Sequence, residues 1–140
     1  MTHAAFAATQ PGPLASADYQ PGVCNIGPAE IARRRQAGHV GLIATLVLFA
    51  ILVLVQAPPV LRLILIIPAA VSASGYLQAY LKFCAGFGSR GVFNFGNVGT
   101  TQQVGDAEAR SLDRSKANRI MLASLAIGIG VAVVAVLLPV

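Results

Sequence analysis

"IMLASLAIGIGVAVVAVLLPV", residues 120–140, runs from end to end without a charge. A helix rises about 1.5 Å per residue, so a run of this length reaches about 30 Å, the hydrocarbon thickness of a bilayer. Two further blocks follow the same pattern. Residues 40–55 (VGLIATLVLFAILVLV) carry no charge and reach spanning length once Ala37, Gly38 and neutral His39 are added. Residues 57–81 (APPVLRLILIIPAAVSASGYLQAYL) carry one charge, Arg62, which fits a spanning helix if it snorkels to an interface. Composition agrees. The chain is 56% hydrophobic and 11% charged, whereas soluble domains carry about 25% charged residues. A soluble domain would lack the polar surface to enclose three such helices. The expected fold is all-α integral membrane, with three transmembrane helices: a helical hairpin followed by a C-terminal span.

Charge sets the expected topology. Arg33, Arg34 and Arg35 precede the first span, while Lys82, Arg90, Arg110, Arg114, Lys116 and Arg119 lie between the second and third. Arg62 alone follows the short connection Gln56-Ala57-Pro58-Pro59. The positive-inside rule then places the N-terminus and residues 82–119 in the cytoplasm and the C-terminus outside. Arg33, Arg34, Arg35, Lys82 and Arg119 are the residues expected at lipid headgroups. The net charge of +5 is accounted for by topology and anionic headgroups, so nucleic acid is not an expected partner.

Four segments are expected. Residues 1–23, rich in Ala, Pro and Gly and without a secretory signal pattern, read as a flexible tail unless a partner holds them. Residues 24–84 form the membrane hairpin. Its first helix starts near Pro28 and Glu30, its turn falls at Pro58-Pro59, and Pro68 bends its second helix. Residues 85–105 read either as an irregular Gly/Phe-rich loop or as a small cytoplasmic β-hairpin turning at Gly96-Asn97, with Phe93 and Phe95 on an apolar docking face. Residues 106–140 start at an N-cap, Asp106, and run through an amphipathic stretch into the third span.

Small residues mark the expected packing faces. Ala69, Ala73, Ser74 and Gly75 fall in the second span. In the third, Ser124 and Gly128, Gly128 and Ala132, and Ala126 and Gly130 are each four apart. Such faces let helices approach closely in lipid. They serve either the chain's own bundle or another subunit.

Signals for chemistry are sparse. The only cysteines, Cys24 and Cys84, both fall near the expected cytoplasmic surface without a CxxC pattern. They read as packing thiols, with thiol chemistry or a metal site as the sharper alternatives; a zinc site would have to borrow His39 and His3. His39, at the start of a span, reads as a headgroup or backbone hydrogen-bonder. The glycines of residues 86–99 lack the Gly-Lys-Ser/Thr ending of a phosphate loop. No span holds an internal carboxylate or lysine, which argues against a proton or ion path. Neither a catalytic set nor a cofactor is implied.

Asn25, Gly27, Glu30, Arg34 and Gly38, followed by Phe83-Cys84 at the end of the second helix, resemble the YgaP-type transmembrane domain, a small two-helix inner-membrane module. Ile31 and Ala85 depart from that pattern, which covers residues 24–88. The resemblance implies a helical hairpin that self-associates or packs on neighbours, with a link to sulfur handling through Cys84. The function expected is that of a non-catalytic accessory subunit of a larger bacterial inner-membrane complex, respiratory or photosynthetic, with lipids and other membrane subunits or copies of itself as partners. The alternative is a membrane thiol or sulfur relay using Cys84, with or without Cys24.

Overall fold

The structure, a computed structural model, describes residues 18–140. Most of the predicted tail therefore lies outside the described residues. Three helical stretches are long and apolar enough to cross a membrane: α1 (Pro28–Leu54), Pro59–Leu81, and α4 (Ala107–Leu137). The middle stretch begins as a 3₁₀ helix, Pro59–Leu65, and continues as α2 (Ile66–Leu81). Before α4 come a short α3 (Ala85–Arg90) and two short strands, β1 (Val92–Phe93) and β2 (Gln102–Gln103). The chain divides into two compact units, and it passes from one to the other within α1, α2 and α4.

The helical unit comprises Arg33–Gln78 and Arg119–Val140. α1 stops before the prolines. Gln56 adopts a left-handed φ of 53°, its N–H donates to the Val53 carbonyl, and the Ala57 N–H donates to Leu52. That pair of bonds satisfies the orphan carbonyls of the last turn as a Schellman motif. Pro58 and Pro59 then lead into the 3₁₀ helix, Pro59 filling its first position, where a missing N–H costs nothing. Seven residues wind as 3₁₀ before α2 settles into α geometry at Ile66, which puts Pro68, expected to bend this helix, in the first turn of α2.

Small residues bring these helices together. A Cβ on Gly75 would collide with the Gly38 nitrogen and lie 2.7 Å from the Arg34 carbonyl. One on Gly41 would lie 2.6 Å from the Ser72 nitrogen. The Ser72 hydroxyl donates to the Gly38 carbonyl at 2.9 Å, tying α1 to α2. On α4, Ser124, Gly128, Ala132 and Ala135 are buried, and a Cβ on Gly128 would lie 2.8 Å from the Ile66 carbonyl. Leu65, Ala132 and Ala135 form an apolar core with Leu48, Phe49 and Ile66. Outside these seams most apolar side chains face outward; Val40, Leu46, Ile67, Leu122 and Leu137 are all exposed.

The second unit combines residues up to Ala32 with Ala79–Asn118. α2 ends at Leu81, and Lys82 just after it takes a left-handed φ of 55°. α3 ends at Gly91, whose φ of 71° suits a residue without a Cβ. β1 and β2 pair antiparallel, with Val92 opposite Gln103 and Phe93 opposite Gln102. The predicted hairpin is thus present, but it does not turn at Gly96-Asn97. Asn94 leaves the ladder to pair with the N-terminal segment: its N–H donates to the Asn25 carbonyl, and the Gly27 N–H donates to its own carbonyl. The connection lengthens accordingly. Asp106 caps α4 as its position predicts, accepting from the Ala109 N–H at 2.9 Å.

Candidate functional site

The most deeply buried polar side chains among the described residues lie inside this second unit. Asn25, Glu30, Asn94 and Asp113 are each 0–1% exposed. Buried polar groups are costly unless bonded, so such a concentration fixes one conformation. Asn25 braces the end of α2: its Oδ1 accepts from the Cys84 N–H at 2.7 Å, and its Nδ2 donates to the Cys84 carbonyl at 3.1 Å. Asn94 organises the long connection. Its Nδ2 donates to the Asn97 carbonyl and to Glu30 Oε1, while its Oδ1 accepts from the Gly96 N–H and the Thr100 hydroxyl. Glu30 Oε1 also accepts from the Gly99 N–H at 3.3 Å. Gly27 lets Phe95 approach, since a Cβ there would lie 2.9 Å from the Phe95 Cα.

Asp113 holds the far side. Its Oδ2 accepts from the Tyr19 hydroxyl at 2.5 Å, and its Oδ1 from the Gly22 N–H at 2.7 Å. Residues 19–22, read from sequence as the end of a tail that is flexible unless held, are therefore pinned to α4. Tyr19 also stacks on Phe93 with ring centroids 4.8 Å apart. Phe93 is buried in a core with Val104 and Ala109, and Phe95 packs half-buried against it. Of the two phenylalanines expected on a docking face, Phe93 is thus covered within the chain and Phe95 is half-covered. Period-2 alternation located their face but gave no sign that Tyr19 covers it.

Burial, then the hydrogen bond to Asp113, push the Tyr19 phenol above its ordinary range. A group whose folded pKa is raised stabilises the fold fully below its unfolded pKa of about 10, and that stability drains away as pH climbs above it. Alkaline unfolding of this unit should therefore steepen above pH ~10 in the wild-type chain. Tyr19→Phe should start less stable at neutral pH and show a flatter profile. Circular dichroism against pH in detergent measures both; identical slopes would exclude a role for this phenol.

The two thiols are placed apart in character. Cys84 is 3% exposed and packs with Ile26 and Phe87, where it behaves as a small hydrophobe. Cys24 is half-buried, and burial raises its pKa, which lowers the thiolate fraction at neutral pH. Its Sγ donates weakly to the Ile26 carbonyl at 3.7 Å. Neither thiol is in a disulfide, and among the described residues no three His, Cys, Asp or Glu side chains gather as metal ligands. In the folded chain a hydrophilic maleimide should label Cys24 slowly at pH 7, faster as pH rises, and Cys84 only after unfolding. Mass spectrometry of the labelled chain tests this; rapid labelling of Cys84 in the native state would reverse the assignment.

The remaining predicted residues divide cleanly. Ala69 and Gly75 are buried in the helical unit, whereas Ala73 and Ser74 are half-buried. Ser124, Gly128 and Ala132 form one buried face of α4. Gly130 is not on it: it is exposed, and a Cβ there would meet nothing within 4 Å. Arg33, Arg35, Lys82 and Arg119 are exposed, and Arg34 is half-buried. His39 Nδ1 and the Tyr76 hydroxyl lie 2.6 Å apart, so this histidine bonds a tyrosine side chain rather than backbone.

Arg62 departs furthest from expectation. Its side chain does not reach outward but is 3% exposed. Nη1 donates to the carbonyls of Ala135 at 2.8 Å and Leu138 at 3.0 Å, and Nη2 donates to the Val140 carbonyl. Its guanidinium also lies 5.7 Å from the Phe49 ring centre. A fixed cation against the C-terminal end of α4 answers both the orphan carbonyls and the helix dipole there. No protein-family model, curated protein or solved structure matches this chain.

Proposed function

We propose that the chain is a three-span accessory subunit of a larger inner-membrane complex, without catalysis of its own. Its basic residues then face the cytoplasm and Arg62 lies at the outer surface, following the positive-inside rule. One observation carries this reading: α4 has two small-residue faces, and the chain's own bundle uses one of them. Ser124, Gly128 and Ala132 are buried, whereas Ala126 and Gly130 are exposed on an otherwise apolar helix. In lipid, where helices associate through close packing, a small-residue face left open suits a helix of a neighbouring subunit. The buried polar node supports the same view, because its groups are spent on holding loops together. A respiratory or photosynthetic host remains the proposed setting.

The YgaP-type resemblance enters as a proposal about architecture. Asn25, Gly27, Glu30 and Gly38 stand at close-contact or hydrogen-bonding positions within their own units. Such roles suit a motif that preserves a hairpin and its exit.

The two faces can be separated by mutation. Gly130→Leu should leave the chain's melting temperature within about 2 °C, because single surface changes shift stability little. It should nevertheless abolish co-purification of partner chains in mild detergent. Gly128→Ala should do the reverse, costing about 1–3 kcal/mol through overpacking against Ile66 while the partners are retained. Native pull-down combined with thermal unfolding reads both. A chain that extracts as a free monomer or small homo-oligomer would refute the subunit assignment.

A further inference from the structure

Within the helical unit, α1, α2 and α4 leave a groove of about 460 Å³ lined by Arg34, Ala37, Ala70, Ser74, Gln78 and Leu125 among others. We infer that this groove holds one acyl chain of an anionic phospholipid, with the phosphate held at the Arg34 end. The inference rests on the membrane placement proposed above and goes beyond it.

The two ends of the groove differ in chemistry. Along α2 it runs from Gln78 to Ala70, eight residues or about 12 Å, close to the depth of one leaflet's hydrocarbon. Arg34 and Gln78 stand toward one end, and Ala70, Val71 and Leu125 toward the other. Arg119, exposed, sits one helical turn before the lining residue Leu122, which places a second cation on the same face of α4. Polar end and apolar slot thus have the order of a lipid entering from the basic side.

The wall between the ends is effectively hydrocarbon. Ser124 donates its hydroxyl proton to the Ile120 carbonyl at 2.7 Å, inside its own helix. The Ser74 hydroxyl and carbonyl both accept from Gln78 Nε2. Ser124 therefore offers no open donor and the Ser74 hydroxyl is engaged by Gln78, so the wall favours a methylene chain. A helix is a poorer fit on charge, since a guanidinium at the mouth complements a phosphate and not the apolar flank of a helix.

The test uses the full purified chain with dioleoyl phosphatidylglycerol or dioleoyl phosphatidylcholine, read by native mass spectrometry from detergent. The wild type should retain one phosphatidylglycerol, several-fold more tightly than phosphatidylcholine. Arg34→Gln should reduce that preference about fivefold, and Arg34→Lys should restore most of it. Leu125→Trp, at an exposed lining position, should block retention while leaving the melting temperature unchanged, and it carries the test if Arg34→Gln does not fold. Equal retention of the two lipids, indifference to both substitutions, or a dimer formed in place of the lipid adduct would overturn the proposal. Alkaline carbonate extraction separates the two readings. A chain released from membranes refutes membrane placement itself, whereas a retained chain without lipid preference refutes only the groove.

Discussion

Arg62→Met is expected to lower the stability of the helical unit by about 3 kcal/mol and to fray the end of α4. The estimate follows from the partners. Hydrogen bonds to a charged donor contribute about 1.5–3 kcal/mol each, and buried acceptors left without a donor cost about 1–3 kcal/mol. Removing the guanidinium withdraws donors from Ala135, Leu138 and Val140 together, near a helix end whose dipole it opposes. Water at the interface recovers part of the loss, so the low figure of about 1 kcal/mol for each of the three acceptors gives the expected value. Arg62→Lys should recover less than half, because an ammonium is a point charge without the planar fork that reaches several carbonyls at once. Thermal unfolding in detergent measures the stability, and hydrogen exchange at residues 132–138 reports the fraying. Unchanged protection there would exclude the capping role.

Gly75→Leu should be at least as damaging, by a different route. The Cβ position at Gly75 faces backbone, namely the Gly38 nitrogen and Cα and the Arg34 carbonyl, so no flexible side chain can yield. α1 and α2 must move apart. That movement breaks the Ser72–Gly38 hydrogen bond and opens the seam at Gly41. Overpacking of a close-packed core typically costs about 1–3 kcal/mol, and a collision with backbone belongs at or above the top of that range. Ser72→Ala, which removes only the hydrogen bond, should cost about 0.6 kcal/mol. The expected result is loss of folded chain for Gly75→Leu and a small shift for Ser72→Ala. Comparable effects from both would mean that the hydroxyl, not the close approach, joins the helices.

The three long helices were legible because a bilayer-length apolar run is a one-dimensional signal, and residues 40–55 and 120–140 state it without interruption. The hairpin connection was legible too, although Gln56 and not Pro58 ends α1, since a left-handed glutamine has no marker in the sequence. Partner choice for polar groups was not legible. Asn25 and Glu30 were seen as a motif and a dipole partner, but their bonds to Cys84 and Asn94 span 59 and 64 residues. Asp113 carries no mark of burial in the sequence, because its partner, Tyr19, stands in a segment that composition marks as a tail. Arg62 was read from its depth alone, which suggests snorkelling. Its actual partners are carbonyls, and carbonyls are present in every residue, so no sequence pattern could point to them. Of the two small-residue faces on α4, spacing found both; only neighbours decide which one is filled.

The clasp of Tyr19 and Gly22 on Asp113 joins segments separated by 94 and 91 positions. Contacts of such long range carry a large loop-closure cost and form late. During synthesis the N-terminal half of this clasp leaves the ribosome long before its counterpart. Tyr19 and Phe93 must wait, uncovered, until the start of α4 has been made. Completion of the clasp therefore registers that the hairpin, the intervening loops and the last helix have all arrived in order. A chain stalled or mis-inserted before Asp113 would carry an open aromatic surface, the kind of feature by which cellular quality control recognises an unfinished membrane protein.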